Sequence, residues 1–198
     1  SYMTKLYFRY SYIYEESLAK LANEKFEWED FQQTQKFVEK FGEYWEQHND
    51  SIFNYYKSLG LTLPDFWLAY PINKKTGLTP FSDPLTFFID NDFEKTCAVL
   101  IHELCHVFLT VSENINLSSA LWEEVVRKYP LENFNTHSHL LVNLLARGGV
   151  VHIFGKDKAG ELLLPERALS GLKKAWKIID LKPEVLLEAD PILAIRKL

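Results

Sequence analysis

The stretch "AVLIHELCHVFLTV", Ala98–Val111, decides how the rest of the chain is read. It is an almost unbroken apolar run that carries two histidines, a glutamate and a cysteine. Its length and composition predict a buried helix. On a helix, residues four apart differ by about 40° around the axis and one turn along it. His102 and His106 therefore point the same way and can share one metal ion. Glu103 lies about 100° from His102 and can reach a metal-bound water without being a ligand. The pattern is H-E-x-x-H, here "HELCH". Two imidazoles plus one further ligand suit zinc, with a fourth position open for water. Zinc lowers the pKa of that water, and the glutamate takes its proton. Imidazoles and a carboxylate are costly in an apolar segment unless they are partnered, which sharpens the signal.

Outward from this helix the chain alternates short extended and long helical patterns. "KLYFRYSYIY" places Leu6, Phe8, Tyr10, Tyr12 and Tyr14 at period two and predicts a strand. Phe41, Trp45, Ile52, Tyr56 and Leu59 recur at helical spacing in a helix predicted over Trp28 to Ser58, with Gly60 as its stop. His48 reads as a boundary histidine on that stripe. "TLPDFWLAYPI" and "PLTFFID" read as two β segments around the turn-rich "NKKTGLTPFSDP". Asn91 with Glu94 three residues on reads as a capping box opening the motif helix. Further helices are expected over Ser118–Tyr129 and Thr136–Arg147, the second ended by Gly148-Gly149. "VVHIF" reads as a strand carrying His152. The tail from Pro165 reads as one or two helices broken at Pro183 and Pro191. The expected fold is α+β, a small mixed sheet backed by helices, in a single domain over 1–198. A helical N-terminal region (about 1–60) and a helical tail (about 160–198) flank its centre.

Composition narrows the function classes. A hydrophobic share of 47% and 15% aromatics are those of a packed chain, not a disordered one. A net charge of -5 gives no electrostatic reason to expect nucleic acid. No apolar stretch reaches the roughly 18 residues of a membrane span. "SYMTKLYFRY" lacks the apolar core of a signal peptide. Cys97 and Cys105 lie eight apart on one helix, roughly 12 Å, too far for a disulfide. The expectation is a reduced, cytoplasmic protein. Cys105 reads as a small packing residue.

At these residues the chain resembles the zincin metallopeptidases, on the gluzincin side and its small minigluzincin members. The resemblance covers roughly Thr62 to Arg147. His102-Glu103-Leu104-Cys105-His106 carries it. No H-E-x-x-H-x-x-G-x-x-H extension exists, since Val107, Phe108 and Leu109 follow and the next histidine is His137. The resemblance implies a zinc-dependent peptidase with Glu103 as base, acting on a peptide or protein. The substrate would lie extended along an edge strand, here Pro84–Asp90. It also implies a third ligand on a later helix, a glutamate in E-x-x-x-D. This chain departs there. Glu123 and Glu124 lie 17 and 18 positions past His106 but have Arg127 and Lys128 four residues on. "THSHLLVNLLARGG" holds His139 and Asn143 one turn apart on a helix apolar nearly all round. His139 is the preferred third ligand, with Asn143 supporting a neighbouring ligand. His137 and Glu124 are the alternatives. Tyr129 and His152 are candidate oxyanion donors. The function expected is a zinc metallohydrolase; the alternative is a zincin-like scaffold that binds or regulates without hydrolysis.

Overall fold

The computed structural model describes residues 3–76 and 79–198, without the side chain of Lys75. Gly77 and Leu78 of the expected turn lie outside the described residues. The fold is mixed α+β: helices dominate and a four-stranded sheet is the β component. The chain divides into two compact units, one of residues 1–53 and 63–107, the other of 54–62 and 108–198.

The first unit holds the sheet, in the order β1-β2-β4-β3. Strand β1 (Lys5–Phe8) runs parallel to β2 (Phe66–Ile72), and β2 runs parallel to β4 (Leu85–Phe88). Strand β3 (Phe81–Ser82), which lies in the stretch read as a turn, pairs antiparallel with β4. The period-two run breaks at Ser11. Its hydroxyl accepts from the Tyr14 N–H and caps helix α1 (Tyr12–Leu21), so Tyr12 and Tyr14 are helical. Helix α2 (Trp28–Ser58) has the bounds its apolar stripe predicts. Phe37, Phe41 and Trp45 from α2 meet Phe8 of β1, Phe87 of β4 and Phe93. Such ring pairs favour edge-to-face contact, and most of these are T-shaped or tilted. Helix α3 (Phe93–Thr110) carries the motif. Asp92, not Asn91, is the residue whose carboxylate accepts from the Lys95 N–H at its start.

The second unit is built around helix α5 (Phe134–Phe154). It packs against α4 (Ile115–Lys128), α6 (Lys156–Leu163), α7 (Lys173–Asp180) and α9 (Pro191–Lys197). That surround explains why α5 is apolar nearly all round. The short α8 (Pro183–Leu187) lies between α7 and α9 in the chain. Pro183 and Pro191 each sit in the first turn of a helix, where the missing N–H costs nothing. The tail therefore holds three helices after the 3-10 turn at Pro165–Ala168.

Two sequence expectations fail in α5. Gly148-Gly149 does not end it, and "VVHIF" is its last turn and a half rather than a strand. The glycines serve close approach instead. A Cβ on Gly149 would sit 2.2 Å from the Tyr56 hydroxyl oxygen, and one on Gly148 2.5 Å from that of Tyr55. Tyr56 is fully buried and donates to the Leu145 carbonyl at 2.9 Å, so it cannot swing away cheaply. Gly149→Ala is accordingly expected to destabilise the protein by about 1–3 kcal/mol, although alanine is the better helix former. Urea unfolding of the variant checks this; unchanged stability would mean the tyrosine yields freely.

Candidate metal centre

Helix α3 is buried along most of its length: Leu100, Ile101, Leu104, Cys105 and Phe108 are all within 1% of full burial. His102 and Glu103 share that burial, at 5% and 8% exposure, and His106 is half-buried. The i, i+4 spacing brings the two imidazole rings to 5.2 Å between centroids. Cys97 and Cys105 form no disulfide, and burial pushes the Cys97 thiol up to about 12, so it stays protonated and inert.

His139 lies on the second turn of α5. Asn133 caps that helix by accepting from the Thr136 N–H at 2.9 Å. One turn back from His139, the Asn135 carbonyl lies 2.9 Å from its Nδ1. A carbonyl only accepts, so Nδ1 carries the proton and Nε2 presents a lone pair. Burial also holds His139 below the ordinary histidine value, favouring the neutral ring that metals bind.

His102, His106 and His139 each offer one ring nitrogen, and these nitrogens all lie within 4.8 Å of one another. Two imidazoles on one tetrahedral zinc, with Zn–N near 2.0–2.1 Å, stand about 3.3 Å apart. The three nitrogens are close enough to one another to hold a metal ion. Three neutral imidazoles are borderline ligands of the kind zinc takes.

The alternatives are placed elsewhere. His137 is buried, its Nε2 donates to the Tyr129 carbonyl at 2.7 Å, and its ring meets Trp122 edge-on. Glu124 pairs with Lys128 at 3.1 Å, the ordinary i, i+4 arrangement. The Tyr129 hydroxyl donates to the Leu198 carbonyl at 2.8 Å. His152, read as a strand residue, is exposed on α5 and stacks on Tyr55 at 4.6 Å. His48 is half-buried beside Tyr44.

Asn143, one turn beyond His139, is fully buried, and neither atom of its amide has a hydrogen bond among the described residues. A buried amide without partners costs about 1–3 kcal/mol, so its place on this helix needs a reason other than packing. The edge-strand expectation is corrected. Strand β4 is flanked by β2 on one side and by β3 at Leu85 and Thr86 on the other. Only Phe87 and Phe88 lack a strand on the β3 side among the described residues. Among the described residues, no single helix is long and apolar enough to cross a membrane. No protein-family model, curated protein or solved structure matches the chain.

Proposed function

We propose that the protein is a zinc-dependent metallohydrolase of zincin-like type that cleaves peptide bonds. The observation that carries this reading is the set His102, His106 and His139, with nitrogens within 4.8 Å of one another, beside a buried Glu103. A zinc ion held there would supply Lewis acidity and would acidify a water towards neutral pH. His102, His106 and His139 would hold it through neutral imidazole nitrogens. The Asn135 carbonyl fixes the tautomer and direction of His139. Glu103 accepts the proton of the attacking water at its carboxylate and returns it to the departing amine. Its burial keeps bulk water from competing for that proton.

The test is elemental analysis of protein purified without added metal, followed by incubation with an unstructured peptide library. One zinc per chain and metal-dependent cleavage are expected. Absence of zinc, together with no uptake on titration, would remove the reading. Zinc without cleavage would leave a binding scaffold.

Asn143 gives a second check. Asn143→Leu removes an amide that makes no structural hydrogen bond, so it should keep or raise stability. If Asn143 supports a zinc-bound histidine, the same variant loses about ten- to a hundredfold in zinc affinity. Equal affinity would make the residue structural.

A further inference from the structure

The second unit holds a hollow of about 190 Å³, bounded by α5, α6, the 3-10 turn and α8. Its polar groups are Arg147, Lys156 and Arg167, and no acid lines it. This is an unusual accumulation in a chain of net charge -5.

The three cations differ in what they still have to give. Arg167 is committed. Its guanidinium forks onto Asp180 at 2.7 and 2.8 Å, donates to the Leu163 carbonyl at 3.1 Å and lies over the Trp176 ring at 4.1 Å. Arg147 is half-buried and makes one hydrogen bond among the described residues, from Nη2 to the Leu186 carbonyl at 3.0 Å. A guanidinium has five N–H donors, so about four of its donors lack a protein acceptor. Burial and then the neighbouring Arg167 charge hold Arg147 below its ordinary value, with Asp180 acting the other way. Lys156, at the start of α6, makes no ion pair among the described residues.

Gly160 supplies an independent observation. It sits inside α6, where glycine is the poorest helix former after proline. A Cβ there would meet nothing within 4 Å, and its φ is not one that side chains avoid. Neither backbone conformation nor a close neighbour demands glycine. Gly160 is exposed at the rim of the hollow it lines, so a large side chain there has open space beside that hollow.

We propose that this hollow binds a small carboxylic acid with a short apolar tail. The carboxylate takes the fork of Arg147, with Lys156 adding charge, and the tail lies against Val151, Ala159 and Leu163. The planar fork matches a carboxylate, whereas a bare phosphate would leave the apolar wall unused. The volume holds the equivalent of about six waters, room for a small acid. The site is independent of the metal reading.

The test is calorimetric titration of the full chain with 4-methylpentanoate, with its neutral amide and inorganic phosphate as comparison probes. Saturable binding of the acid alone is expected. Arg147→Gln should weaken it about ten- to a hundredfold, the worth of a charged hydrogen-bonded pair. Gly160→Leu should raise the thermal midpoint and weaken binding, because it crowds the rim of the hollow while improving the helix. This variant carries the test if Arg147→Gln fails to fold. No binding by the wild type, equal binding by Gly160→Leu, or equal binding of the amide or of phosphate overturns the proposal.

Discussion

Glu103→Gln is expected to keep one zinc per chain and to lose hydrolysis by about 10²- to 10⁴-fold. Glutamine preserves size and hydrogen-bonding capacity but cannot accept a proton from water at neutral pH. Burial makes the change sharper, since Glu103 is only 8% exposed and little bulk water reaches it to substitute as base. Turnover of an unstructured peptide, measured beside zinc content, separates the outcomes. Equal cleavage by both proteins would show that Glu103 is not the base. Loss of zinc together with activity would instead make it a determinant of the metal site.

The second large effect is expected at His139. His139→Ala should lose zinc affinity by more than about a hundredfold, beyond the cost of removing a merely supporting group. His137→Ala, two residues away, should keep its zinc. It should instead lose about 1–3 kcal/mol of stability, because the Tyr129 carbonyl loses the donor it has at 2.7 Å. Competition with a chelating dye at fixed pH reads the first effect, and urea unfolding reads the second. The pH must be held because protons compete with zinc for imidazole. With His139 held below the ordinary histidine value, proton competition at that ring sets in only at correspondingly lower pH. Wild-type zinc affinity in His139→Ala would reopen the choice between His137 and Glu124.

The motif helix was legible because its signal is local. A run of apolar residues with His102 and His106 four apart fixes both the helix and the shared face before any tertiary contact is known. His139 was legible for a related reason: on a helix that reads as buried all round, its polar residues stand out. What separates His139 from His137 is the carbonyl each ring meets, Asn135 for one and Tyr129 for the other. Backbone carbonyls leave no mark in sequence. The strand expected at Val150–Phe154 failed because β-branched residues after two glycines look the same in a buried strand and in the last turns of a buried helix. The period-two run to Tyr14 failed because Ser11 ends one pattern and caps another. The hollow beside Arg147 was invisible, since its cations are spread over 21 residues, from 147 to 167, and meet only in the fold.

The glycines of α5 have a consequence for how this sequence can drift. Gly149 and Tyr56 are 93 positions apart, yet they occupy one volume: the ring oxygen fills the space a Cβ would need. Neither position is free alone. Alanine at 149 becomes acceptable only when 56 carries something shorter than tyrosine, and a smaller residue at 56 leaves a gap unless 149 grows. Gly148 and Tyr55 form a second such couple, shared with Pro191. Among chains that keep this helix arrangement, these positions should therefore change together or not at all. Such paired substitutions would reveal the contact between distant segments where single-site comparison sees only two glycines resembling a helix end.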